Sequence, residues 1–375
     1  MSIDRKPVGG RLPDFPWDSL AEATATARSH PEGIVNLSVG TPVDPVSPTI
    51  QLALAEAAGE PGYPQTKGTA QLRAAIVGAM ERRFGVRGLD SETGVLPVVG
   101  TKEAIAWLPT LLGIGAEHTV VIPELAYPTY EVAARLAGAQ VIRSDSFLKL
   151  GPQTPALVFI NSPANPHGRV LGVDHLRKVV DFARERGSII VSDECYLGLG
   201  WEGPKPVSIL HPEVCGQDHR NLLATHSLSK TSNLAGYRAG WYAGDTGLIA
   251  ELLDVRRHAG LIVPGPIQAA MVAALEDDDH ETLQKSVYSH RRAVLSAALQ
   301  EAGFRIENSE AGLYLWATEG RDGRDTVERL ARIGILVAPG EFYGPTGQQF
   351  VRIGLTATDE KIEQAARRLR EDYGR

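Results

Sequence analysis

Two cysteines in 375 residues, Cys195 and Cys215, cannot make a disulfide framework, and their separation has no metal-ligand spacing. No metal is therefore expected. No apolar run of about 18 residues occurs, so no membrane span is expected. The opening Met1-Ser2-Ile3-Asp4-Arg5-Lys6-Pro7 lacks the apolar stretch of a leader, which makes the cytoplasm the expected location. Basic residues are outnumbered, 38 against 45 acidic, and the net charge of −7 argues against nucleic acid or an anionic membrane as a partner. Two familiar phosphate loops are missing as well. There is no Walker A sequence, and Gly113-Ile114-Gly115 has no third glycine and does not open a helix from a strand. Internal repeats and low-complexity segments are absent.

What remains is a chain with 43% hydrophobic residues, enough for a large core without metals or disulfides. Short apolar runs at 95–99, 118–122, 140–143, 156–160, 188–192 and 222–225 read as strands. Helical patterns fill the intervals at 70–84, 102–112, 129–137 and 173–186. Strands alternating with helices predict an α/β fold with a mostly parallel sheet covered on both faces. Beyond about 245 the texture changes to longer helices, broken at Pro264-Gly265-Pro266, with strand-like pieces at 313–316, 335–337 and 350–355. That predicts a smaller α+β unit, which the turn-rich first 40 or so residues join. The acidic run Glu276-Asp277-Asp278-Asp279 reads as a solvated helix end.

Ligands of open parallel sheets sit outside the carboxyl ends of the strands, so the residues following each strand carry the functional argument. Gly100-Thr101-Lys102 opens a helix, a place where backbone N–H groups hold phosphate. Tyr127 follows the next strand and can stack on a planar ring. Asn165, fixed by Pro166, can donate to a phenolic oxygen. Asp193 is a carboxylate at a buried strand end, which is costly unless paired, and Tyr196 lies three residues on. The last of these strands leads into Ser227-Leu228-Ser229-Lys230-Thr231-Ser232-Asn233-Leu234-Ala235-Gly236-Tyr237-Arg238. Here Lys230 has hydroxyls three and one residues before it, Ser227 and Ser229, and an arginine eight residues after it. Together these are the groups that pyridoxal 5'-phosphate needs: phosphate donors including Ser227 and Arg238, an aromatic, an amide, a carboxylate for the pyridine nitrogen, and a lysine for the aldehyde carbon.

With these residues in place, the chain resembles the fold type I, class I/II aminotransferases. The resemblance runs from Asn36-Leu37-Ser38-Val39-Gly40-Thr41-Pro42 to Phe350-Val351-Arg352-Ile353-Gly354-Leu355. It implies a large domain, residues 45–260, built on a seven-stranded, mostly parallel sheet, and a small domain of 1–44 with 261–375. It also implies that Arg352 and the Gly40 backbone take the substrate carboxylate together with Asn165. Tyr63 would reach the phosphate of a partner in a homodimer with shared sites. Asp14-Phe15-Pro16-Trp17, Ser227-Leu228-Ser229-Lys230-Thr231-Ser232 and Glu310-Ala311-Gly312-Leu313-Tyr314-Leu315-Trp316 are similar to the actinobacterial N-succinyldiaminopimelate aminotransferases. That similarity implies amino transfer between L-glutamate and N-succinyl-2-amino-6-oxopimelate in diaminopimelate and lysine synthesis.

The same scaffold also serves aminotransferases for aspartate, alanine or aromatic acids and carbon–sulfur β-lyases, and both alternatives stay open on sequence. A non-enzymatic regulator would need an added DNA-binding module, and none is evident. The turn Asn165-Pro166-His167-Gly168 departs from the family, which has threonine or lysine at the third position, and His167 is expected to face solvent. A second basic group for a distal carboxylate is expected among Lys102, Arg256 and Arg257.

Overall fold

Short runs rich in Val, Ile and Leu form the central sheet of this computed structural model, which describes residues 7–373. The opening segment read as lacking a leader lies outside the described residues, apart from Pro7. After a two-residue strand β1 (Val35–Asn36) come β2 (Val95–Val99), β3 (Thr119–Ile122), β4 (Gln140–Arg143), β5 (Leu157–Asn161), β6 (Ile189–Asp193), β7 (Leu222–Ser227) and β8 (Ala239–Gly244). The last seven make one sheet in the order β2-β8-β7-β6-β5-β3-β4. Only β8 runs against its neighbours. Every residue of β5, β7 and β8 is buried, as two-sided coverage by helices requires.

The pattern of six apolar runs omits β8, whose Ala239-Gly240-Trp241-Tyr242-Ala243-Gly244 has low strand propensity. Its place is set by tertiary pairing. A Cβ on Gly240 would press on the His226 carbonyl and crowd the Thr101 methyl, so glycine lets β8 lie this close to β7 and to the helix that begins at Thr101.

The helices begin and end where local chemistry dictates. Thr69 accepts the Leu72 N–H at 3.1 Å to open Ala70–Phe84, which stops at the left-handed Gly85. Asp245 accepts the Gly247 N–H at 2.7 Å to open Thr246–Ala259. The helix Gly265–Glu276 contributes Ala270, Met271, Ala274 and Leu275 to the core under the large sheet. We therefore propose that the domain boundary lies near residue 277 and not at 260.

The acidic run is the solvated helix end expected, with Glu276 and Asp279 exposed, and Asp278 adds a tie there. It accepts from Arg82 Nε and Arg83 Nε, each at 2.6 Å, while those guanidiniums also hold the Leu275 and Ala274 carbonyls. The Arg82 bond keeps the Asp278 carboxyl well below the usual carboxylate range. Lying at the surface, the run also fastens one helix end to the neighbouring helix.

The second body contains β9 (Arg305–Ile306), β10 (Tyr314–Thr318), β11 (Ile335–Leu336), β12 (Ala338–Pro339) and β13 (Val351–Gly354). Four of these form an antiparallel sheet, β12-β13-β10-β9, and β11 pairs in parallel with β1. Leu295, Leu313, Leu315, Val351, Ile353 and Leu369 are packed in its core, with Leu20, Val35 and Leu37 from the start of the chain. Burying each such side chain contributes roughly 1.5–3 kcal/mol. Buried Arg291 ties the start of the chain to this body, donating to Asp44 at 2.6 and 2.8 Å and to Asp359 at 2.6 Å. The antiparallel register places Arg352 on β13 opposite Trp316 on β10.

Candidate active site

Sheet register assembles the site. Asn161 at the end of β5 pairs with Asp193 at the end of β6, and Asp193 pairs with Thr225 on β7. These three positions thereby stand level, and the loops after the three strands open into one cleft of about 710 Å³. Its wall contains Thr101, Lys102, Tyr127, Asn165, Asp193, Tyr196, Ser227, Ser229, Lys230 and Arg238 from the large sheet side. Gly40 comes from the start of the chain and Arg352 from β13. Gly100 completes the helix opening: its φ is +81°, and a Cβ there would strike the Arg238 guanidinium. Tyr63 is not part of this wall. It is fully exposed.

Asp193 is 6% exposed, and burial raises its carboxyl above the usual range. Tyr130 Oη donates to its Oδ2 at 2.6 Å, and the Cys195 N–H donates to its Oδ1 at 3.2 Å. Among the described residues no cationic side chain forms a salt bridge with it. A carboxylate held by neutral donors and lacking a counter-ion suits a protonated ring nitrogen.

Lys230 donates from Nζ to the Gly40 carbonyl and has no carboxylate partner among the described residues. Burial lowers its pKa from the ordinary lysine value, the direction a nucleophilic or basic amine needs. The Tyr288 hydroxyl donates to the Lys230 carbonyl at 3.2 Å and steadies its backbone. The Ser229 N–H donates to Ser227 Oγ at 3.0 Å. Arg238 adopts φ +59° and donates to the Ala235 carbonyl at 2.8 Å. Its guanidinium, the two serine hydroxyls and the open N–H groups at the start of Thr101–Leu111 lie around the same cleft, a set of donors that suits an anion.

Arg352 is 3% exposed. It donates to Asn165 Oδ1 at 3.0 Å and to the Ser38 carbonyl at 2.8 Å, while its Nε is buried without a partner. The side chain lines the cleft, and its planar fork suits a carboxylate ligand. Its guanidinium carbon lies 3.8 Å from the centre of the Tyr314 ring and 5.0 Å from that of Tyr343. Asn165 is itself set by Asn161, whose Oδ1 accepts the Asn165 N–H at 2.7 Å.

Several members of the site escaped sequence reasoning. Tyr130 is invisible until the fold carries it 63 positions along the chain to Asp193. Its only local signal is its place on the helix that starts after Tyr127-Pro128. Tyr314 was in view as part of a family word without a role, and Cys195 only as a thiol that pairs with nothing. Phe15 and Trp17 reach the cleft mouth from the turn-rich start.

Other expectations are corrected. Arg256 is fully buried near Glu103, and Arg257 pairs with Asp254 on the surface, so neither lines the cleft. Lys102 does, with its ammonium 5.8 Å from the Phe15 ring centre. His167 is partly buried rather than solvent-facing, and it lines a separate pocket with Arg169 and His175. Burial and the nearby Arg169 charge push its imidazole down to about 4.

A fold of this kind, with an amine, an unpaired carboxylate and donors for an anion at the carboxyl edge of its sheet, defines an enzyme of the pyridoxal-phosphate type. The chain belongs to the class I and II aminotransferase family, whose model matches residues 32–369. It is 63% identical over 362 residues to the probable aminotransferase Rv1178 of Mycobacterium tuberculosis, covering 96% of this chain and 86% of that one. It is 55% identical over 358 residues to the 4-dedimethylamino-4-oxo-anhydrotetracycline transaminase OxyQ of Streptomyces rimosus, covering 96% and 99%. The fold matches that of a probable N-succinyldiaminopimelate aminotransferase from Thermus thermophilus with a TM-score of 0.84 and 29% identity, over 95% of this chain and 100% of that one. The fold is therefore that of the type I pyridoxal-phosphate aminotransferases.

Proposed function

We propose that this chain moves an amino group between L-glutamate and N-succinyl-2-amino-6-oxopimelate. The observation that carries the reading is the meeting, in one cleft, of the Lys230 amine, the Asp193 carboxylate without a counter-ion and the Arg352 guanidinium. Pyridoxal phosphate, when bound, supplies the electron sink that lets an amino acid lose its α-proton. Lys230 Nζ takes that proton and later returns it. The Asp193 carboxylate holds the ring-nitrogen proton in place. Tyr196 and the Nδ2 of Asn165 would orient the ring oxygen, Tyr127 would cover the ring, and Thr101, the Lys102 N–H, Ser227, Ser229 and Arg238 would hold the phosphate with the Gly100 turn. Arg352 and the Gly40 backbone fix the substrate's α-carboxylate. Tyr63, exposed on the single chain, serves the partner's site in a homodimer.

Lys102 is the basic side chain at the cleft that suits a distal carboxylate, now that Arg256 and Arg257 lie elsewhere. The similarity to the Thermus protein supports the succinylated substrate. The 55% identity to OxyQ favours a second reading, a polycyclic ketone as amino acceptor.

The deciding experiment follows the cofactor absorbance of loaded protein after each substrate is added alone. The proposal expects rapid bleaching by L-glutamate and by N-succinyl-L,L-diaminopimelate. A response to glutamate without one to the succinylated compound overturns the lysine-pathway assignment and turns attention to ketone acceptors. Pyruvate release from cystathionine without an acceptor would instead mark a β-lyase.

Arg352→Lys tests the clamp. Lysine keeps the charge but cannot reproduce the planar fork. The expected loss in kcat/KM is roughly tenfold to a hundredfold for every α-amino acid donor, carried mainly by KM. A loss confined to one donor would contradict an α-carboxylate role.

A further inference from the structure

Asp193 and Ser227 serve opposite ends of the cofactor in the scheme above, the ring nitrogen and the phosphate. Each has a buried polar neighbour that the scheme does not use. Glu194 follows Asp193, and His226 precedes Ser227. Successive side chains along a strand point to opposite faces. Asp193 and Ser227 line the cleft, while Glu194 and His226 meet outside that lining. Glu194 Oε2 lies 3.1 Å from His226 Nε2, and the two side chains are 0% and 3% exposed. Neither atom has another partner among the described residues.

Each member of the pair is also held by its own surroundings. Glu194 Oε1 accepts from Ser192 Oγ at 2.9 Å and from the Ile209 N–H at 2.8 Å. The His226 ring stacks on Trp241, its cross-strand neighbour on β8, with 5.2 Å between centroids and 8° between planes. It stacks on Phe84 as well, at 5.5 Å and 21°. The position in the sheet then gives the pair a task. The Glu194 N–H donates to the Thr225 carbonyl at 2.9 Å, just past the last paired residues of β6 and β7. Beyond that bond the chain leaving β6 turns back on itself, with the Leu197 N–H on the Glu194 carbonyl, while β7 runs on to Ser227 against β8. The side-chain pair is the next tie between the two, and it falls between Asp193 and Ser227. A buried carboxylate–imidazole pair adds little stability over apolar side chains of the same volume, so stability alone does not account for it.

We propose that Glu194 and His226 are positioning residues that set the span between Asp193 and Ser227, so that one molecule engages the ring-nitrogen carboxylate and the phosphate donors together. The pair touches neither cofactor nor substrate and acts through its two neighbours. A ligand that bridges two subsites gains from both only when their separation matches its own length, whereas a fragment filling one subsite does not sense that separation.

The inference rests on the proposed cofactor reading, and its test needs no turnover. Cofactor-free, full-length protein is titrated by calorimetry with pyridoxamine 5'-phosphate, with pyridoxamine and with inorganic phosphate. His226→Phe keeps a flat ring on Trp241 and Phe84 and removes the tie. Should the stranded Glu194 charge prevent folding, Glu194→Gln combined with His226→Phe removes that charge, and the same three titrations decide. The expected result is a Kd for pyridoxamine 5'-phosphate raised about tenfold, with the Kd of each fragment changed by less than about twofold. Glu194→Gln alone keeps the Oε1 contacts and places an amide beside the imidazole, so its Kd for the whole ligand should stay within about threefold of wild type. Equal weakening of the whole ligand and of both fragments would show a purely structural pair and overturn the proposal, as would an unchanged Kd for the whole ligand. Both failures leave the aminotransferase reading standing, because wild type would still bind the whole ligand. A wild-type chain that binds none of the three probes would overturn the cofactor reading and this inference with it.

Discussion

Lys230→Ala is expected to abolish turnover while leaving the protein folded. The side chain does little structural work: Nζ makes one hydrogen bond, to the Gly40 carbonyl, and forms no ion pair among the described residues. Burial lowers its amine towards neutrality, so the amine is an activated group held at a cost that only function explains. Alanine removes both the covalent anchor for the cofactor and the base for the α-proton. Either loss alone is worth orders of magnitude, and the combined fall should be about 10⁴-fold or more in the glutamate half-reaction. Cofactor should also become removable by gel filtration, with no comparable drop in melting temperature. Turnover within tenfold of wild type would end the assignment of Lys230.

The large-domain architecture was legible because its strands are short, apolar and bounded by turn chemistry. The helix limits at Ala70–Phe84, Thr129–Ala137 and Val173–Arg186 coincide with those expected from periodicity. β8 was not legible. Two glycines in six residues weaken any local strand signal, and the strand exists because β2 and β7 pair with it from both sides. The loop residues following the strands were readable for a related reason: a parallel sheet puts every loop after a strand on one edge, so order along the chain already implies convergence in space. What order cannot supply is which polar groups from other elements complete the set. Tyr130 reaches Asp193 from a helix, and Tyr314 reaches Gly40 from the other sheet. Arg256 shows the converse error. Its position in the chain suggested a substrate contact, yet the helix Thr246–Ala259 turns it inward, where it is fully buried.

Asp193→Asn separates stability from catalysis, and the two should move in opposite directions. In protein without cofactor the buried carboxylate has neutral donors and no counter-ion, so burial raises its pKa. A carboxyl with a raised folded value favours the folded state below its unfolded value of about 3.9 and loses that contribution as pH rises through the folded value. At neutral pH, cofactor-free Asp193→Asn should therefore melt higher than wild type, and the gap should close as the pH is lowered towards 4. In loaded protein the order should reverse, because asparagine cannot hold the ring nitrogen protonated. Removing one partner of a buried charge pair costs about 3–5 kcal/mol, which corresponds to a loss of roughly 10²–10⁴-fold in the half-reaction. Tyr130→Phe should do less. It deletes one hydrogen bond to a charged group, worth about 1.5–3 kcal/mol, so a loss of roughly tenfold to a hundredfold is expected. Because Tyr130 acts on the ring only through Asp193, adding Tyr130→Phe to Asp193→Asn should cost almost nothing further. Multiplicative losses in the double variant would show that Tyr130 has a separate task. A lower melting temperature for cofactor-free Asp193→Asn at pH 7 would show that the carboxylate has a cationic partner after all.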